Sequence, residues 1–135
     1  MRVMAIDYGD ARTGIAVSDA LGMIAGETFV IPEWDPAALS KTIVEEAAKR
    51  GVGTLVLGLP KNMDGTEGAR AEKARAFAER LKEDGAPAVV LWDERRTTVD
   101  AHRILHANGK KEKKHRATVD AVAAALILEG YLGTL

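Results

Sequence analysis

In "AIDYGDARTGIAVSD" (residues 5–19), Asp7 follows the apolar run Val3-Met4-Ala5-Ile6 and precedes a glycine turn. The run has no polar alternation, so it reads as a strand buried on both faces. A carboxylate at the end of such a strand loses solvation and needs a hydrogen bond, a partner charge or a metal. The pattern recurs where "AVVLWDE" (88–94) hands over to Asp93 and Glu94. A third acid, Asp120, is the only polar residue between Val119 and Leu128, in a helical segment apolar enough all round to be buried. Three carboxylates brought together repel unless they are protonated or share a cation. Hard oxygen donors without Cys or His suit Mg²⁺ or Mn²⁺. Two such ions, about 3.5–4 Å apart, clamp the attacking and leaving oxygens of a phosphodiester.

Each acid also has a structural use taken alone. Asp7 can bond the turn at Gly9, Glu94 can pair with Arg95 at the surface, and Asp120 can sit at a helix N-terminus beside a Thr118 cap. Their recurrence on three elements favours the shared cation. His102 and His106 stand four apart but lack the intervening Glu of a zinc-protease helix, and read as surface. Met63 and the two tryptophans, Trp34 and Trp92, read as packing residues rather than stacking platforms.

The elements that must position the acids follow from patterning. After the first strand, stretches at about 13–18 and 24–31 are split off by Gly9-Asp10 and Gly22, an antiparallel meander. Asp35-Pro36 supplies an N-cap and a first-turn proline; Leu39, Ile43 and Ala47 follow at helical spacing until Gly51. "TLVLGLP" (54–60) is a buried strand and "KNMDGTEG" (61–68) a loop. Ala74, Phe77, Ala78 and Leu81 mark a helix to about Glu83. Residues 88–92 form the last strand. A short helix runs from the Thr98 cap to Asn108-Gly109, and a final one spans about 117–132. The order β-β-β-α-β-α-β-α-α predicts an α/β domain with a five-stranded mixed sheet: three antiparallel strands, then two parallel to the first, flanked by helices. Strands 3–7 and 88–93 should flank strand 54–58. Open α/β sheets gather ligands at the carboxyl ends of such strands, where Asp7 and Glu94 both lie.

At 135 residues the chain is long enough for one domain with its own core. With no cysteine, thiolate and cysteine-zinc chemistry are excluded. No apolar run reaches the length of a membrane span and no basic-apolar leader opens the chain, so a cytoplasmic protein is expected. The net charge of −1 hides an asymmetry: residues 95–116 carry eight Lys/Arg against Asp100 and Glu112. One basic face on an acidic body points to a nucleic-acid partner.

Over essentially its whole length the chain resembles the YqgF (RuvX-type) Holliday-junction-resolvase-like proteins. The blocks that carry this are "DYGDARTGIAVSD" (7–19), "GLPKNMDGTEGARAEKA" (58–74), "DERRTT" (93–98) and "VDAVAAALIL" (119–128). The resemblance implies an RNase H-like fold and a nuclease that matures pre-16S ribosomal RNA at its 5′ end. It implies Asp7, Glu94 and Asp120 as the catalytic set holding Mg²⁺ or Mn²⁺. Asp93 is the reserve for Glu94, since strand neighbours point to opposite faces. Asn62, Thr66 and Arg70, with Gly65 and Gly68, would line the substrate groove, with Arg12 on the first hairpin and Arg95 beside the acid. Asp10 stands where many relatives have Thr, which would add a charge near the metals, and Arg96 replaces an apolar residue; neither change removes a ligand. Lys110, Lys111, Lys113, Lys114 and Arg116 would form a flexible arm gripping phosphates without sequence choice; the alternative is a solvated loop.

Rival readings are a sugar-kinase or actin-like phosphate loop, which needs two such lobes, and a non-catalytic antitermination factor. A branched DNA junction and structured RNA present similar bent backbones to a basic face. Junction cleavage needs two sites and hence a homodimer, RNA processing only a monomer, and no residue fixes which.

Overall fold

The computed structural model describes residues 1–94 and 112–135, with side chains up to residue 94 and from residue 121. Three strands, β1 (Arg2–Asp7), β2 (Thr13–Ser18) and β3 (Ala25–Ile31), precede α1 (Pro36–Lys49). Then come β4 (Val52–Leu59), α2 (Ala69–Glu83), β5 (Ala88–Asp93) and α3 (Glu112–Leu132). The five strands form one sheet in the order β3-β2-β1-β4-β5. β1 pairs antiparallel with β2, and β2 with β3. β4 runs parallel to both its neighbours, with Ile6 opposite Leu57 and Gly58 opposite Trp92. The mixed sheet expected from the element order is the one observed.

The unbroken apolar run of β1 follows from its central place. Met4 and Ile6 join Leu55, Leu57, Leu39, Ile43 and Phe77 in a core beneath α1 and α2. Val3 and Ala5 point the other way and join Val56, Ala124, Ile127 and Leu128 beneath α3. Each large side chain fully buried here contributes roughly 1.5–3 kcal/mol. The α3 face is lined by small residues, Ala5, Ala16 and Ala124, all wholly buried, which let the helix lie close to the sheet. Gly130 belongs to the same design: a Cβ there would come 2.8 Å from Cζ2 of Trp92.

The punctuation signals act as the sequence suggests. Asp35 caps α1, accepting from the Ala38 amide at 3.3 Å, and Gly51 follows the helix at φ 66°. Ser40 Oγ donates to Asp84 Oδ2 at 2.6 Å, tying α1 to the end of α2.

Two expectations are corrected. α3 starts at Glu112, about five residues early, so positions 113, 114 and 116 lie on a helix and not in a flexible arm. Lys, Glu and Arg are strong helix formers, and nothing between Glu112 and Val119 breaks a helix. Nor is α3 buried all round: Ala123, Ala124, Ile127 and Leu128 are buried while Val122, Ala125 and Leu126 are half-exposed. The helix expected at 98–108 lies outside the described residues. Among the described residues, no helix is long and apolar enough to cross a membrane.

Candidate active site

The site begins with register. β1 and β5 flank β4 in parallel, and one step beyond the Ile6–Leu57 pair brings Asp7 level with Gly58. Asp7 alternates with Val3 and Ala5, so it leaves the sheet on the α3 face. Glu94 lies just past β5, two residues beyond Trp92, and takes that same face. Asp93 is opposite Leu59, a residue of the α1–α2 core, and so belongs to the other face. Alternation and the sheet register together thus put Glu94, and not Asp93, on the face of Asp7.

Gly58 is what lets the two carboxyls meet. A Cβ built on it would lie 2.7 Å from Cγ and Cδ of Glu94, so the Glu94 side chain occupies the space any other residue would fill. Glu94 lies over the end of β4 and shares a hydrogen bond with Asp7. A hydrogen bond between two carboxyls requires that one of them hold a proton. Burial first, then the hydrogen bond and negative charge of Glu94, push the Asp7 carboxyl from its usual 3.8 up to about 9. The nearby Arg70 guanidinium pulls the other way. Burial and a like-charged neighbour thus favour the protonated form of Asp7 when no cation is present.

Two turns frame the dyad. In the β1–β2 turn the Gly9 amide donates to Thr13 Oγ1 at 3.3 Å, and a Cβ on Gly9 would collide with the Arg12 carbonyl oxygen. Arg12 itself is half-buried in this turn. After β4, residues 61–68 brace themselves. Asn62 Nδ2 donates to Thr66 Oγ1 at 2.9 Å, and Thr66 donates from both its amide and its hydroxyl to Asp64 Oδ1. Gly65 takes φ 90° and closes the turn by donating to the Asn62 carbonyl. Asn62 and Thr66 therefore bond to each other and hold the loop, while Arg70, the second residue of α2, is brought within electrostatic reach of Asp7. Asp10 does not join the dyad: it pairs with Lys73 at 3.8 Å.

Asp120 is a position of α3, four residues before the wholly buried Ala124; its side chain, like those of Lys113, Lys114 and Arg116, is outside the described residues. Arg95, Lys110, Lys111, His102 and His106 also lie outside them. Among the described residues, no three acids or histidines gather into a cluster.

Three residues escape a reading of the sequence. Gly58, like Gly53 before it, interrupts a β-branched and leucine-rich strand, a signal of close approach by another group, but its meaning needs the β4–β5 register. Trp34 is 77% exposed and Met63 86%, so neither is the packing residue expected, whereas Trp92 packs edge-on against Tyr131.

The model of one protein family, described as "RuvX: Holliday junction resolvase", matches residues 1–134. The chain belongs to the RuvX family. A relative from Halothermothrix orenii, named "Putative pre-16S rRNA nuclease", is 44% identical over 132 residues, covering 98% of this chain and 94% of its own. Among solved structures, the Thermus thermophilus RuvC in complex with Holliday junction substrate superposes at a TM-score of 0.55 and 18% identity, covering 99% of this chain and 97% of that one. The Fowlpox virus Holliday junction resolvase superposes at 0.58 and 12% identity over 100% of both chains. These structural likenesses establish the RNase H-like fold.

Proposed function

We propose that this RuvX-family protein is a divalent-cation-dependent nuclease that hydrolyses phosphodiester bonds in structured nucleic acid, its physiological reaction being 5′-end processing of pre-16S rRNA. The observation that carries the reading is the Asp7–Glu94 dyad at the carboxyl ends of parallel strands. Two acids held in hydrogen-bond contact, at the expense of a strongly raised Asp7 pKa, are what a cation site looks like when a proton stands in for the metal. The donor set fits Mg²⁺ or Mn²⁺, being all hard oxygen. Asp7 and Glu94 would hold the ion, with Asp120 as third ligand, since helical spacing sets position 120 on the face that carries Ala124 and Ile127. When bound, such ions polarise a phosphoryl oxygen and make water a competent nucleophile near neutral pH.

The protein's own groups have separate tasks. Asp7 would hold the ion as a carboxylate, its proton lost to water, and Glu94 is held in place by the space over Gly58. Arg70 offsets the dyad's negative charge and offers donors to a phosphate. Arg12, the braced loop of Asn62 and Thr66, and the basic residues Arg95, Lys110, Lys111, Lys113, Lys114 and Arg116 grip backbone. Cytoplasmic residence fits this substrate and the absence of cysteine.

A second reading is resolution of branched DNA, favoured by the family's description and by the likeness to resolvases named with Holliday junctions. It requires two copies of the site and hence a homodimer. The deciding experiment gives the purified protein, with Mg²⁺ or Mn²⁺, a precursor 16S rRNA fragment and a four-way DNA junction side by side. Cleavage near the mature 5′ end of the RNA by a monomer supports the first reading. Paired symmetric cuts in the junction by a dimer support the second, and no cleavage of either by wild-type protein defeats both.

A further inference from the structure

A cleft of about 430 Å³ opens beside Tyr8, the residue next to Asp7 but directed to the opposite face of the sheet. That volume is within the range of small-ligand sites, about 300–1,000 Å³. Its floor is aromatic: Tyr8 lies flat on Phe77 of α2, ring centroids 4.3 Å apart and planes 8° from parallel. Trp34, from the segment leading into α1, stands at the wall and is 77% exposed. The polar rim is mixed, with Lys73 and Arg80 set against Asp10, Glu79 and Glu83.

We propose that this cleft receives one unpaired nucleobase of the substrate strand, stacked on Trp34, while the neighbouring backbone reaches the Asp7–Glu94 dyad. The inference rests on the nuclease reading and names a feature of its substrate: a strand with at least one base free of the helix.

Charge selects the occupant. Three acids against two cations repel a phosphate, while aromatic walls with donors and acceptors at the rim suit a neutral planar ring with polar edges. A base already stacked and paired in a duplex has no free face to offer, so the ligand is unpaired. Placement supplies the link to the dyad. Consecutive Cα atoms are about 3.8 Å apart, and Asp7 and Tyr8 point to opposite sides of the sheet. A strand lying over this end of the sheet therefore presents phosphate to one side and a splayed base to the other. Folding gives no reason for an indole to be exposed at this wall; stacking does.

The test is binding of a fluorescent RNA hairpin with an unpaired 5′ flank, measured in EDTA so that no cleavage intervenes. Wild type is compared with Trp34→Ala and Trp34→Phe on the intact RNA and on copies with a single abasic residue stepped through the flank. Trp34→Ala is expected to weaken binding about 5- to 150-fold, the range for one stacked base, and Trp34→Phe to retain most of the affinity. One abasic position should reproduce the loss, and on that RNA Trp34→Ala should cost nothing more. Equal binding by Trp34→Ala and wild type overturns the proposal, and cleavage by both then leaves the nuclease reading standing. A Trp34→Ala loss that persists whichever flank base is removed also overturns it. If wild-type protein neither binds nor cuts RNA or a DNA junction, the nuclease reading itself fails and takes the base cleft with it.

Discussion

Two groups of charged residues in this protein are built on opposite principles. At the end of α1, Arg50 donates to Glu27 of β3 through two nitrogens, at 2.9 and 3.0 Å, and also to Glu46. Its guanidinium lies 4.8 Å from the centre of the Phe29 ring. Hydrogen bonds from Arg50 hold both acids below the usual carboxylate range. At the carboxyl end of β1 the same chemical group meets its like: Asp7 is driven up to about 9 by burial and by Glu94. The first cluster is complete as it stands; the second needs a proton or a cation. Glu27 and Glu46 find a cation at the surface, whereas Asp7 and Glu94 are kept together against their own repulsion. On the proposed nuclease reading, the destabilisation at the dyad is what a cation would relieve.

That contrast can be broken most sharply at the dyad. Asp7→Asn should lower single-turnover cleavage of saturating RNA by about a thousandfold or more, since several kcal/mol of metal-derived stabilisation depend on its charge. Wild-type turnover in this variant would remove Asp7 from the site. Gly58→Ala should come next. Its methyl group displaces Glu94 without touching either acid's chemistry, and a misplacement of about 1 Å costs about a hundredfold. Circular dichroism should show the fold retained.

Stability should respond to pH in opposite senses at the two clusters. Between about pH 4 and 9 the folded chain keeps a proton on Asp7 that the unfolded chain releases. The stabilisation from this group is therefore complete below about pH 4 and is lost as pH rises through about 9, with a slope of at most about 1.4 kcal/mol per pH unit. In urea unfolding without metal, wild type should lose stability relative to Asp7→Asn from pH 5 to pH 9, and an unchanged difference would mean no shared proton. Glu27 has the reverse sign: its pairing contributes above the normal carboxylate pKa and is lost as pH falls through its lowered one. Because Glu27 is half-exposed, Glu27→Gln should change stability at pH 7 by no more than about 1 kcal/mol, and less in high salt.

Much of the positioning frame was legible because it depends on patterns that repeat. The runs 3–6 and 54–57 are apolar on both faces only because they become neighbouring strands covered on both sides. Asp35-Pro36 and Gly51 bound α1 by local chemistry alone. The choice of Glu94 over Asp93 needed the third dimension, since alternation says that the two diverge but not which side carries Asp7. Gly58 was opaque for the same reason: its emptiness matters through a side chain from a different strand. Trp34 and the early start of α3 went unread because each depends on context that composition does not carry, a wall left uncovered in one case and a charged run that continues a helix in the other.

On the proposed reading, a proton holds the place of a divalent cation between Asp7 and Glu94. Calorimetric titration of the protein with Mn²⁺ at pH 7, in buffers of differing ionisation enthalpy, measures this directly. Wild type should release about one proton as the cation displaces it, and Asp7→Asn should bind more weakly and release none. Binding with no proton released by wild type, or with equal affinity in Asp7→Asn, would contradict that reading.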